Sequence, residues 1–199
     1  AQKVVEDYDK WEIEQSYRKD IYTVVKTYAD KNEHLAPEDQ RLVEETLKGY
    51  KQLGLHLPEK IQEKVKKIKE ELSKLEIEFS ENIKNTQQTV QFTKNQLDGV
   101  PQDYLDKWKV KHKKDLYKFD AKLYSNYSPI VKNANNENTR KKVSIQRMQT
   151  AMKENIPILQ KVVEKRATLA KILGYDSWAH LKLELKMAKN PKTVMDFLN

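Results

Sequence analysis

The chain has 199 residues, no cysteine, four glycines and a formal charge of +8. Those numbers exclude a disulfide framework and any thiolate metal site, and they favour long helices over a β-sandwich or barrel. No apolar run approaches the roughly 20 residues needed to cross a bilayer, and no cleavable signal precedes the first helical pattern, in a sequence that starts at Ala1.

Residues 1–31 carry a helical pattern, with Ile13, Tyr17, Ile21, Val24 and Tyr28 recurring on one face. The pattern breaks over Asn32–Pro37. Pro37 then opens a second helix with Glu38 and Asp39 in its first turn, where acidic residues suit the dipole. Leu42, Thr46, Leu47, Tyr50 and Leu53 form its inward face, and Gly54 supplies a left-handed carboxy-terminal cap. A short link through Pro58 leads into a long charged helix, so helices 38–53 and 58–85 are expected to make an antiparallel hairpin. In the second of these, Ile61, Val65, Ile68, Leu72, Leu75 and Phe79 follow at steps of four and three. That spacing keeps one narrow apolar seam on a partner, with Lys and Glu on the wet face.

From Asn85 the period changes. Val90 and Phe92 alternate with polar neighbours, Leu97–Pro101 reads as a turn, and a short helix follows over 102–108. Tyr117, Phe119, Ala121 and Leu123 alternate with Lys118, Asp120 and Lys122. This predicts a small β-ribbon pairing 89–94 with 116–124, and a further strand near 108–113. Asn126-Tyr127-Ser128 matches a glycosylation sequon, which without a secretion signal we read as accidental.

The last third returns to helix. Asn135 or Asn136 caps a helix containing Val143, Met148, Ala151 and Met152, and Pro157 marks a break. Leu159, Val162, Val163, Leu169, Ile172 and Leu173 form the next apolar face, closed by Gly174. Asp176 or Ser177 starts a helix through Trp178, Leu181 and Leu185. Asn190-Pro191 opens one more, with Val194, Phe197 and Leu198 on its apolar side. The fold class is therefore mainly α: residues 1–199 form a helical lobe with a β-ribbon within about 89–124 and a helical remainder over 136–199.

The chemistry is sparse. A zinc peptidase needs two His one helical turn apart, with a Glu beside the first to act as base. The four histidines, His34, His56, His112 and His180, are never followed by Glu, and no two lie three to five residues apart. Gly-x-Ser-x-Gly and a Gly-rich phosphate loop are both missing. The carboxylate pairs Glu70 with Glu71 and Glu76 with Glu78 fall on a solvated helix. Arg166 sits at an inward position between Val162 and Leu169. It is either a stem lying along the core with a wet head or a buried cation with a carboxylate partner. We assign no catalytic, cofactor-binding or metal position to these residues.

Charge offers a different reading. Residues 1–100 hold 17 Lys and Arg against 20 Asp and Glu, a balance of −3; residues 101–199 hold 21 against 10, a balance of +11. A basic half invites nucleic acid. Lys far outnumbers Arg, however, and no aromatic residues interleave with basic ones on a sheet as single-strand platforms require. No specific nucleic-acid partner and no membrane partner are expected.

Gly54-Leu55-His56-Leu57-Pro58, with the charged helix behind it, resembles the thimet oligopeptidase, neurolysin and saccharolysin family of zinc oligopeptidases. Trp11-Glu12-Ile13-Glu14 through Asp20-Ile21-Tyr22 is similar to an early helix of that family, and Thr139-Arg140-Lys141-Lys142-Val143 to a basic helix start. Ile158-Leu159, Arg166, Leu173-Gly174-Tyr175, Met187-Ala188-Lys189 and Val194 to Phe197-Leu198 extend the match, which covers roughly residues 4–199. Tyr127-Ser128-Pro129 and the Lys-rich 107–114 run depart from it. The resemblance implies an amino-terminal helical lobe that forms one wall of a channel admitting short peptides in a cytosolic or mitochondrial enzyme. It also implies that zinc and its ligands belong to a catalytic lobe outside these residues, and that these residues alone are inactive. A stand-alone helical interaction module without catalysis is the alternative.

Overall fold

A computed structural model describes residues 2–113 and 115–199; Ala1 and Lys114, the last of the Lys-rich run, lie outside the described residues. The chain divides into two compact units. One holds the residues up to Glu78 together with Pro157–Asn199, and the other is Phe79–Ile156. The first is all helix and the second surrounds a two-stranded ribbon.

The helical unit begins with α1 (Gln2–Ser16) and α2 (Lys19–Ala29), where the sequence pattern predicts one continuous helix. Arg18 is responsible for the break: its backbone is extended (φ −65°, ψ 92°), and its guanidinium turns onto Asp20 in the first turn of α2, with Nε 2.7 Å from Oδ1. The interruption rotates the buried face by one position. Tyr22, Val25 and Ala29 turn inward, while Ile21, Val24 and Tyr28 are exposed.

Helix α3 (Pro37–Leu53) starts on Pro37 and ends on Gly54 in the left-handed conformation (φ +81°). The Gly54 and Leu55 amides donate to the Lys51 and Tyr50 carbonyls at 2.9 and 3.1 Å, satisfying orphan acceptors of the last turn. A Cβ on Gly54 would come within 3.2 Å of the Leu173 side chain, so both the dihedral and the packing select glycine. Of the residues expected inward on α3, Thr46, Leu47, Tyr50 and Leu53 are half-buried, as is Val43; Leu42 is exposed. Its closest helical neighbour is α2, through Tyr22 and Tyr50 rings 5.5 Å apart and nearly perpendicular.

Helix α4 (Glu59–Asn85) carries the predicted seam. Val65 and Leu72 are buried, and Ile61, Ile68, Leu75 and Phe79 are half-buried. Gln62 donates to the Leu55 and Leu57 carbonyls at 3.0 and 2.8 Å, tying the Gly54 turn to the first turn of this helix. Ser73 donates to Asp9 of α1 at 2.6 Å.

Pro157 does not break a helix. It lies inside α8 (Met152–Ile172), past the first turn, where its missing N–H removes one i→i−4 hydrogen bond, and the helix continues through it. The actual break falls at Gln149–Ala151, with Ala151 at φ +52°, so Met148 ends one helix and Met152 begins the next. The buried side of α8 within the helical unit is Ile158, Val162, Leu169, Ala170 and Leu173. Leu159 and Val163, expected inward, are exposed. Gly174 (φ +83°) closes α8. Ser177 caps α9 (Trp178–Leu183), which ends before Leu185, and Asn190 caps α10 (Pro191–Leu198) through the Thr193 amide at 3.0 Å.

The second unit is organised by β1 (Thr89–Thr93) and β2 (Leu116–Asp120), antiparallel with Val90 opposite Phe119 and Phe92 opposite Tyr117. Their inward residues are buried, as period-two alternation requires. The 108–113 segment contributes a single bridge, Lys109 to Tyr117, in place of a strand. The second strand also stops short of the predicted 124, because Leu123 is the exposed residue preceding α6 (Tyr124–Asn133). That helix, which the pattern did not anticipate around Pro129, buries Ile130. The expected short helix is α5 (Gln102–Leu105), continued by a 3₁₀ turn, Asp106–Trp108. Phe119 is the hub of the core: Tyr104 stacks on it at 5.9 Å, with Trp108 at 5.8 Å and Phe92 at 6.4 Å. Asn126 of the sequon is buried and donates to the Asp120 carbonyl at 3.0 Å, a structural use of that amide. Asn136 caps α7 (Glu137–Met148), and Thr139 donates to the Gln96 carbonyl at 2.8 Å.

Two outcomes are expected from these contacts. Leu72→Ala should lower the unfolding free energy by about 2–5 kcal/mol in urea titration, whereas Leu42→Ala should leave the midpoint nearly unchanged. Gly99→Ala should also destabilise the protein, because Gly99 has φ +89° and a Cβ there would meet the Asn133 carbonyl at 2.3 Å. A thermal melt of Gly99→Ala superimposing on that of the parent chain would contradict this reading of the turn.

Candidate functional site

The histidines are placed by local backbone needs. His56 lies in the turn after Gly54; burial, then the charge of Lys51, holds its imidazole below the usual value. His112 is exposed at φ +64°, and His34 is exposed before α3. The His180 Nδ1 lies 2.9 Å from the Ser177 hydroxyl at the start of α9. Among the described residues no three His, Cys, Asp or Glu side chains gather as a metal ion would need. The residues present therefore do not fit a zinc site, and no step through zinc is derived from them. Also among the described residues, no helix is long and apolar enough to cross a membrane.

Arg166 combines the two alternatives read from its position. Its Nη2 meets Glu76 Oε1 at 2.7 Å, its guanidinium lies 5.4 Å from the Trp178 ring centroid, and its Nε is buried without a partner. One residue earlier, Lys165 pairs with Glu71. The carboxylates of the charged helix thus serve partly as anchors for α8 instead of lying wholly in water. A second polar link ties α3 to α9: Gln52 donates to the Leu181 carbonyl and to Glu184 Oε2, both at 3.0 Å, and the Tyr175 hydroxyl donates to the same carboxylate oxygen. Burial alone would raise the Glu184 pKa. The hydrogen bonds from Tyr175 and Gln52, with the charges of Lys51 and Lys48, hold it below the ordinary value. Burial, followed by the bond to Glu184, pushes the Tyr175 phenol well above its usual range.

The helical unit also contains a groove of about 520 Å³. Gly49 and Leu53 of α3, Lys69 of α4, Leu169 of α8, and Trp178 and Lys182 of α9 line it. No Asp or Glu appears on its wall among the described residues. The sequence reading assigned Lys69 to the wet face, yet it stands four residues after Val65 and three before Leu72, the two buried seam positions. That spacing was the available signal that Lys69 points toward protein. Lys182 had no such signal, because α9 is too short for a periodic face.

Apolar side chains also remain uncovered. On α8, Met152, Ile156, Leu159 and Val163 follow at steps of four, three and four, and all are exposed. Phe197 and Leu198 of α10 are 88% and 69% exposed, and Val194 is half-buried. Such a stripe is characteristic of a surface that meets other protein.

In class this is a mainly helical protein with a two-stranded antiparallel ribbon. Residues 130–199 match Peptidase family M3. The chain is 36% identical over 200 residues to saccharolysin of Saccharomyces cerevisiae, covering 96% of this chain and 28% of that protein. It is 30% identical over 205 residues to a thimet-like oligopeptidase of Dictyostelium discoideum, covering 99% of this chain and 30% of the other. It is also 32% identical over 166 residues to a mitochondrial intermediate peptidase of Coccidioides immitis, covering 83% of this chain and 20% of that one. The chain is related to the family M3 peptidases, and it spans no more than 30% of the length of these three relatives.

The Glu184 cluster has a pH signature. A carboxylate whose folded pKa lies below its unfolded value adds stability above the unfolded pKa, and that contribution is lost as pH falls through the folded one. Glu184→Gln should therefore cost stability near pH 6 and little near pH 3, as read by urea midpoints at the two pH values.

Proposed function

We propose that these residues are the amino-terminal, non-catalytic part of a zinc metallo-oligopeptidase that hydrolyses short peptides, and that they form one wall of its substrate channel. The observation that carries this reading is the near-complete alignment of the chain with 28–30% of the length of saccharolysin and of a thimet-like oligopeptidase. Zinc, its ligands and the general base would lie outside residues 1–199. The helical walls would contribute size exclusion, admitting an extended peptide and keeping a folded protein away from the reacting bond. The exposed stripe on α8 and the apolar end of α10 would meet the catalytic lobe. The compartment is the cytosol or the mitochondrion, the latter supported by relatives named mitochondrial intermediate peptidase.

The test is to purify residues 1–199 and the product of the downstream reading frame separately, then assay a quenched short peptide and a folded protein. Residues 1–199 alone should cleave neither. The mixture should cleave the peptide, spare the folded protein, and lose activity on chelation of the metal. No association, and no gain in peptide cleavage over the downstream product alone, would leave the helical interaction module as the better reading.

A further inference from the structure

The groove of the helical unit contains an electrostatic arrangement that the peptidase reading does not use. On the same unit, Lys165 and Arg166 each reach a carboxylate, Glu71 and Glu76. Lys69 and Lys182 do not: among the described residues neither makes an ion pair or donates a hydrogen bond to protein, and each is held against an aromatic ring. The Lys69 Nζ lies 6.0 Å from the Tyr17 centroid and the Lys182 Nζ 5.2 Å from that of Trp178. Two ammonium groups thus share one concave wall with no counter-charge on it. Lys69 is half-buried and Lys182 exposed; two like charges on one wall repel, more so where one is partly withdrawn from water, and an anion between them relieves that repulsion. Burial first, and then the charge of Lys182, brings Lys69 down to about 8, the response of an ammonium short of a counter-ion.

The remaining lining says what kind of anion. Thr46 and Ser16 also border the groove, but their hydroxyl hydrogens are donated to the Leu42 and Glu12 carbonyls at 2.7 and 2.8 Å. The ammonium groups are the free charged donors, enough for one small oxyanion head. Leu53, Leu169 and Trp178 offer apolar wall beside them. A volume of about 520 Å³ falls in the range of small-ligand sites and holds far more than a bare ion.

We propose that this groove is a binding site for a ligand with an oxyanion head on an apolar body, the head seated between Lys69 and Lys182 and the body against Leu53 and Trp178. The carboxy terminus of a short apolar peptide has this chemistry, and so does an aryl phosphate. The inference goes beyond the peptidase reading and does not rest on it, because binding is measured without any cleavage.

Gly49 provides a clean probe of the groove. It lies on the wall within α3, and nothing sits within 4 Å of a Cβ built there, so the side chain of Gly49→Leu starts in open space at the groove and the substitution favours the helix. The experiment titrates the 199-residue chain with N-acetyl-Leu-Leu, with its carboxy-terminal amide and with phenyl phosphate, following the Trp178 indole N–H by NMR. The expected result is saturable binding of the free acid with Kd below about 1 mM, weakened at least about tenfold in the amide, in Gly49→Leu and in Lys69→Met, and largely kept in Lys69→Arg. Tighter binding of phenyl phosphate than of the peptide acid, lost in the same variants, would support the site and identify phosphate as its source. Failure of both acids to bind at millimolar concentration, or binding unchanged in Gly49→Leu and Lys69→Met, would overturn the proposal. A thermal melt of each variant confirms that the chain is folded, and Gly49→Leu keeps the test decisive if Lys69→Met is not.

Discussion

Helix α4 must bury a seam only one or two residues wide on a surface otherwise made of Lys and Glu, and the helical unit depends on how that is done. Val65 and Leu72 are buried, and the charged residues beside them are drawn into contacts. Glu71 and Glu76 take Lys165 and Arg166, Ser73 takes Asp9, and Gln62 takes the carbonyls of the Gly54 turn. Exposed ion pairs are worth little singly. Here their value is positional, because they set which stripe of α8 faces α4 and leave Leu159 and Val163 outward. The left-handed Gly54 matters to the same end, since it ends α3 where Leu55 can be buried and Gln62 can close the turn.

The ribbon unit solves a different problem. Two five-residue strands cannot stabilise themselves, and this pair is held by an aromatic cluster centred on Phe119 and by amides that satisfy loop carbonyls. Asn126 bonds the end of β2, Tyr104 bonds the Asn126 carbonyl at 2.7 Å, and Arg147 lies against the Tyr124 and Tyr127 rings while donating to the Ala121 and Lys122 carbonyls. Each of these side chains takes up a group that a short ribbon would leave unpaired, which is why a unit with so little sheet holds a dry core. Among its basic side chains, Lys142 likewise lies 5.1 Å from the Phe92 ring centroid.

The sequence is related to family M3 peptidases, and among the described residues no His, Cys, Asp or Glu side chains gather as a metal ion would need. In the reading proposed above, a channel wall would need rigid helices and a surface for its partner lobe, and the exposed rows on α8 and α10 would suit the second need. The Lys69 groove is separate from those rows in character. It is concave, cationic and lined by mixed apolar and polar groups, where the rows are convex and apolar.

Period and punctuation made much of this legible from residues alone. The four-and-three spacing from Ile61 to Phe79 determined α4, Pro37 and Gly54 determined the ends of α3, Asn136 and Asn190 capped α7 and α10, and alternation determined both strands. These are local signals, written within a few residues of where they act. What tertiary structure decided was which side of each helix faces protein. Arg18 interrupts the first helix by an extended backbone and a bond to Asp20, and the buried set moves from Ile21 and Val24 to Tyr22 and Val25. Pro157 lies inside α8 at the loss of one ladder bond, while Ala151 takes the left-handed turn that a proline rule would place elsewhere. Lys69 belongs by sequence to the Lys and Glu of the charged helix; the approach of Tyr17 and Lys182 makes it a half-buried cation with no ion pair among the described residues. For Lys69 the reason is distance along the chain. Helix periodicity is a property of neighbours in sequence, whereas the like charge beside Lys69 comes from Lys182, brought in only when the helices pack.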